Sequence, residues 1–184
     1  AEKLVRFLAK HAHWSPFEMV NAVLEINTTR DIAHQIVRHR SFAFQEFSQR
    51  YADPTQDLSF VFREARLQDT KNRQNSIELE DTPVNRTMEE MWVQKQNKVK
   101  DAALGAYKWA IDNGIAKEQA RAVLPEGLTE SRLYMNGTLR SWIHYIQLRS
   151  GNGTQKEHAV IARDCACVLA AVFPMIDEYI TSGG

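Results

Sequence analysis

Between Gln35 and Tyr51 the chain reads Q-I-V-R-H-R-S-F-A-F-Q-E-F-S-Q-R-Y, setting three arginines, one histidine, one glutamate and two serines among three phenylalanines. Side chains of these types could hold an anion. A guanidinium is planar, stays charged and offers donors in a fork that matches phosphate or carboxylate. A surface helix would gather its polar residues on one face, and no such stripe is present. The segment divides in two. Up to about Arg40 it reads as a helix end, with Ile32 and Ile36 four apart on one side and Gln35 and His39 on another. Beyond Phe42 the period becomes two, which predicts an extended chain with Glu46, Ser48 and Arg50 along one wall and Phe47 anchoring the other side. On these residues alone, a helix end followed by a polar loop and a ligand-holding wall stand equally open.

Further candidate grips for an anion are Arg121, Arg132, Arg140 and Arg149. A surface salt bridge is the simpler reading of any one arginine. As a set with Arg38, Arg40 and Arg50 they favour an anionic ligand, because several border apolar stretches where an unpaired charge is costly. Other chemistries are poorly supplied. The chain has no G-x-G-x-x-G, G-x-x-x-x-G-K-[ST], H-E-x-x-H or paired C-x-x-C. Cys165 and Cys167 lie in an apolar helical stretch and are expected to pack as small hydrophobes, which disfavours a thiolate nucleophile and suits a reducing, cytoplasmic setting. His11 and His13 would diverge on a helix and have no third ligand near in sequence, so no metal site is expected. A turn with Ser15 capping and Pro16 opening the next element fits that stretch better.

The elements that must position these residues are mostly helical. Leu4, Phe7 and Leu8 mark a first amphipathic helix; Met19 to Ile26 reads as a strand; Thr28 or Thr29 caps the helix that delivers Gln35. Leu58 to Arg63 reads as a short strand, and the polar stretch from 66 to 83 as a mobile surface excursion. A long helix is expected from about Thr87 to Asn113, its Met88, Met91 and Trp92 belonging to core or subunit interface. A short helix at Lys117 to Val123, a strand at Glu130 to Met135, a helix at Thr138 to Leu148, a glycine-containing loop at 150–154 and a last helix at Gln155 to Phe173 complete the chain. The expected fold is α+β, a mostly helical single domain over residues 1–184 with a small mixed or antiparallel sheet. With 23 basic and 23 acidic residues, no global charge calls for nucleic acid or an anionic membrane, and no apolar run reaches the ~20 residues that span a bilayer.

Arg38-His39-Arg40, followed by seven residues and Ser48, resembles the signature of the flavin-dependent thymidylate synthases of the ThyX type. Lys10-His11-x-His13-x-Ser15-Pro16-Phe17-Glu18, Ser48-x-Arg50-Tyr51, Ala120-Arg121-x-Val123-Leu124-Pro125, and Leu139-Arg140-Ser141 with Leu148-Arg149 extend the resemblance, in order, over about residues 4 to 173. The resemblance implies a ThyX-like homotetramer with shared active sites that binds FAD, dUMP and methylenetetrahydrofolate and takes reducing equivalents from NADPH. It methylates C5 of the uracil without an enzyme cysteine. By the same resemblance, His13, Ser15, Arg38, His39, Arg40, Glu46, Thr138, Arg140 and His144 meet FAD, while Gln35, Glu46, Ser48, Gln49, Arg50, Arg121 and Arg149 hold dUMP. The catalytic assignments are Arg149 at the uracil and Ser48, which donates to the phosphate rather than attacking. The chain departs from the family's commonest pattern at Ala43 and Gln45, and at Gly153, where a histidine is frequent before the pair Gln155 and Glu157. An upstream segment that completes the sheet and part of the FAD site in the family is expected to be missing. Two other readings are a helical nucleic-acid-binding module using Arg38 to Arg50, disfavoured by the neutral charge, and an inactive family member that keeps the nucleotide site.

Overall fold

Alternation of inward and outward residues builds the two long strands. Along β1 (Asn21–Thr29), Ala22, Leu24 and Ile26 turn inward while Asn21, Val23, Glu25 and Asn27 face out. Along β5 (Glu130–Thr138), Ser131, Leu133, Met135 and Gly137 are buried and Arg132, Tyr134 and Asn136 are exposed. With β2 (Ala43–Glu46) they form a three-stranded sheet in the order β1-β5-β2. The computed structural model describes residues 2–51, 53, 59–151 and 153–181. Its helices are α1 (Glu2–Lys10), α2 (Arg30–Ile36), α3 (Pro83–Asp112), α4 (Lys117–Ala120), α5 (Leu139–Arg149) and α6 (Lys156–Ala170). A mostly helical chain with a small sheet is the α+β architecture expected from sequence.

The chain groups into two compact units, neither contiguous in sequence. The first comprises Ala1–Ile26, Gln35–Gln45 and Tyr134–Gly184, and the second Asn27–His34 and Glu46–Leu133. At the centre of the first, Trp142, Tyr145 and Ile146 of α5 are fully buried, as are Ala162 of α6 and Met135 of β5. Thr138 caps α5 by accepting the Ser141 N–H at 3.2 Å, an arrangement that satisfies one of the helix's free donors. Phe42 stands edge-on to Trp142 with ring centres 4.9 Å apart and presses on Gly137. A Cβ at Gly137 would lie 2.3 Å from Phe42 Cδ1 and 2.4 Å from Cε1. Gly137→Ala is therefore expected to destabilise the fold by about 1–3 kcal/mol, the usual cost of overpacking, seen as a lower thermal midpoint. An unchanged midpoint would contradict the close packing of this ring.

In the second unit, α3 starts at Pro83 rather than near Thr87. Thr82 caps it by accepting the Asn85 N–H at 3.2 Å, and Pro83 at the first helical position forfeits no bond. Tyr107 and Ala110 of α3 pack with Ala120 and Leu124, against which Phe60 and Ile111 lie. The expected strand at 58–63 does not form; Leu58 lies outside the described residues. Phe60 makes a single bridge to Thr129, and the Arg63 backbone is taken instead by the buried amide of Gln96, which accepts its N–H at 2.7 Å and donates to its C=O at 2.8 Å. Within the surface stretch 66–83, residues 66–78 form a hairpin. β3 (Arg66–Gln68) pairs antiparallel with β4 (Ser76–Glu78), and its turn is tied by Asp69 Oδ1, which accepts the N–H groups of Lys71 and Asn72 at 2.8 and 3.1 Å. These bonds, with the Asn75 amide, hold the Asp69 carboxyl below its ordinary pKa.

Candidate active site

The helix α2 stops at Ile36 and does not run on to Arg40 as its pattern predicts. Two successive turns follow, closed by His39 N–H to Ile36 O at 3.1 Å and Phe42 N–H to His39 O at 3.3 Å. They turn the His39 ring inward and leave Arg38 and Arg40 exposed. There His39 meets Arg149 from the last turn of α5. Arg149 Nε donates to His39 Nε2 at 3.0 Å, so that nitrogen carries a lone pair and the imidazole is neutral. Burial, then the positive Arg149 and His144, push the His39 pKa down to about 4.

Behind this pair lies a polar cluster whose two buried members, His158 and Tyr145, the sequence did not announce. His158, wholly buried on α6, places Nε2 3.1 Å from the Tyr145 hydroxyl and Nδ1 3.2 Å from Gln35 Oε1. Gln35 Nε2 donates to Gln155 Oε1 at 2.9 Å, and Gln155 Nε2 donates to Glu157 at 2.9 Å. Burial and the nearby Arg149 lower the His158 pKa to about 4, while burial raises that of Tyr145. The available signal was the spacing of Gln155, the residue that precedes α6, and His158 three residues on in its first turn. Gly153, which leads into this turn, has φ of 85°, a conformation costly for a residue that carries a Cβ. Asn152 lies outside the described residues.

A cavity of about 460 Å³ opens in the same unit, lined by Trp14, Glu18, Ser41, Arg140, His144 and Gln147 among others. Arg140 Nη1 donates to Glu18 at 2.8 Å; this bond first, and then Thr138, hold the Glu18 carboxyl below the usual carboxylate range. The structure thus brings together Arg140 and His144, with Thr138 capping the helix that carries them. His13 and Ser15 are exposed and flank Trp14 in sequence, with His13 and His11 ring centres 6.4 Å apart. Among the described residues no group of three or more His, Cys, Asp or Glu could hold a metal ion.

The remaining candidates lie in the second unit. Glu46 ends β2 and is held by Ser131 Oγ at 2.7 Å and Arg30 at 3.3 Å. The extended wall expected beyond it is absent. Ser48 and Arg50 instead occupy a tight turn, in which Tyr51 N–H bonds Ser48 O at 3.2 Å and Arg50 N–H approaches Ser48 Oγ at 3.4 Å, because a serine hydroxyl competes for the local backbone. Arg50 meets Glu118 of α4 at 3.3 Å, one turn before Arg121. Gln49 is buried, and its Nε2 has no hydrogen-bond partner among the described residues. Arg132 faces out from β5 and bonds Asn27 at 3.0 Å. Of the two cysteines, Cys165 is buried and its thiol is pushed up to about 12 by burial and Asp164, whereas Cys167 is exposed rather than packed inside. Among the described residues no helix is long and apolar enough to cross a membrane.

The fold is of the α+β class, and its site sets a fixed guanidinium against a neutral histidine, an arrangement suited to stabilising negative charge on a ligand. The comparisons with known proteins give that class its family. A family model described as thymidylate synthase complementing protein matches residues 1–175. A probable flavin-dependent thymidylate synthase of Paramecium bursaria Chlorella virus 1 is 44% identical over 96% of this chain and 78% of its own length. The flavin-dependent thymidylate synthase of Synechocystis is 47% identical over 95% of this chain and 77% of its own. In fold, the chain resembles the UMP/dUMP methylase PolB of Streptomyces cacaoi, solved with 5-Br UMP, with a TM-score of 0.77 over 97% of this chain and 80% of that one, at 24% identity. The chain belongs to the flavin-dependent thymidylate synthase family.

Proposed function

We propose that this chain, acting as one catalytic domain over residues 1–184 in the cytoplasm, converts dUMP to dTMP with methylenetetrahydrofolate as carbon donor and NADPH as reductant. The observation that carries the reading is the Arg149 guanidinium lodged against neutral His39, whose ring neighbours the His158 that holds Gln35. Arg149 is assigned to the uracil, where a fixed cation stabilises the negative charge that grows on a ring carbonyl as C5 becomes nucleophilic. Ser48, Gln49, Arg50 and Arg121 are assigned to the phosphate. Gln49 Nε2, without a hydrogen-bond partner among the described residues, supports this, as does the exposure of the Arg50–Glu118 pair, which contributes at most about 1 kcal/mol and exchanges readily for a phosphate.

The residues around the 460 Å³ cavity suit part of FAD. Trp14 offers an aromatic face, Arg140 a cation, and Ser41, His144 and Gln147 polar groups for a flavin's ring edge and its chain. His13, Ser15, Arg38, His39, Arg40, Glu46 and Thr138 complete the assignment. Reduced FAD, when bound, supplies the hydride that turns the transferred carbon into a methyl group. A homotetramer with shared sites is supported by α3, whose Val84, Met88, Met91, Trp92 and Val99 are exposed at helical spacing. In such an assembly the uracil and phosphate residues need not come from one chain.

Purified protein is expected to be yellow, with a flavin band near about 450 nm, and to oxidise NADPH faster when dUMP is added. Colourless protein that neither takes up FAD nor binds dUMP would overturn the reading.

A further inference from the structure

We infer that Glu157 sets the pyrimidine preference of the site, by locking the amide of Gln35 in one orientation through Gln155 and His158. The inference rests on the assignment of Gln35 to the nucleotide and adds that this amide reads the base. A carboxylate can only accept hydrogen bonds. Glu157 therefore demands the NH₂ group of Gln155, which lies 2.9 Å away. That turns Gln155 Oε1 toward Gln35, which must answer with its own NH₂, again at 2.9 Å. Gln35 Oε1 is left facing His158 Nδ1 at 3.2 Å, so the proton sits on Nδ1 and Nε2 accepts from the Tyr145 hydroxyl at 3.1 Å. Every bond donates in the same direction, from Tyr145 toward Glu157. Reversing Gln35 would set two amide oxygens against each other at one end and two N–H groups at the other.

The burial of His158 and Tyr145, both fully enclosed, makes such mismatches expensive, since neither can turn to water. A His158 pKa near 4 keeps the ring neutral, as the chain of bonds requires. Gln35, half-buried, keeps one N–H and one lone pair uncommitted by these bonds. An amide held this way matches the edge of uracil, where its oxygen meets N3–H and its N–H meets a ring carbonyl. Cytosine presents the reverse at that edge, a bare N3 and an amino group, so like would meet like. A free glutamine would flip to suit either base. A locked one discriminates.

The test is calorimetric binding of dUMP and dCMP to the flavin-loaded protein, comparing the parent with Glu157→Gln, Gln155→Met and Gln35→Ala. The parent is expected to prefer dUMP by about a hundredfold or more, because a site built on paired polar groups rejects a ligand that leaves them unpaired. Glu157→Gln keeps shape but removes the obligate acceptor, and Gln155→Met keeps length but severs the relay. Each should narrow the dUMP to dCMP ratio by about tenfold. General loosening would weaken both nucleotides alike and leave the ratio unchanged. An unchanged ratio in whichever of these two variants folds, with Gln35→Ala impaired for dUMP, overturns the inference alone. If Gln35→Ala binds dUMP normally, the assignment of Gln35 falls and the inference with it.

Discussion

Arg149→Lys is expected to lower the rate of dUMP methylation by about a hundredfold or more, the scale set by losing one fixed donor to a developing oxyanion, while the thermal midpoint stays near that of the parent. The guanidinium spends its Nε–H on His39 Nε2 at 3.0 Å and still has two Nη groups to offer a substrate. A lysine ammonium is a single point at the end of a flexible stem. It can meet the imidazole or the substrate, but not both in one plane. His39 holds up its side of the pair at any working pH, because a pKa near 4 keeps its nitrogen an acceptor. Steady-state kinetics with dUMP and NADPH, read beside a melting curve, decide the matter. Normal turnover in the lysine variant would remove Arg149 from the chemistry.

Trp142→Ala should cost about 3–5 kcal/mol of folding stability, a large share of the 5–15 kcal/mol typical of a whole domain. The indole is fully buried, its N–H donates to Ala22 O at 3.2 Å, and its ring meets Phe42 and Tyr145 edge-on at 4.9 and 5.9 Å. Tyr145 in turn stands edge-on to His39 at 5.0 Å and bonds His158. The cavity left by the indole therefore reaches the site as well as the core. Denaturant unfolding should show the loss directly, with a smaller one for Trp142→Phe, which refills most of the volume. Equal midpoints for the alanine variant and the parent would contradict the place given to this ring.

Much of the chain was readable before the structure. Helices betrayed by an apolar period, such as α5 and α6, fall where expected because packing and propensity agree there. The arginines and the histidine of the site were visible by type, since few other roles suit guanidinium groups beside apolar stretches. What failed was local competition. The helix carrying Gln35 gives way to turns before His39, the Ser48 hydroxyl claims its own backbone, and Gln96 takes the Arg63 peptide that a strand would have used. Each is a side chain or turn outbidding a regular ladder, and periodicity is blind to that. His158 escaped notice for a different reason. A histidine followed by Ala159 and Val160 on an apolar helix reads as packing, and only the positions of Gln35 and Tyr145 reveal its two partners.

The interleaving of the two units carries a consequence for how the molecule comes off the ribosome. Residues up to Ile26 belong with Tyr134 onward, and Asn27–His34 belongs with the intervening stretch that ends at Leu133. The second unit can thus close as soon as Leu133 has emerged, while in the first the segment up to Ile26 stays unsatisfied until the residues from Tyr134 onward have followed. At ordinary synthesis rates of about 5–20 residues per second, that leaves several seconds in which Phe17 and Ile26, both buried in the finished fold, stay uncovered. Slow codons or a stalled chain before Tyr134 would lengthen that wait.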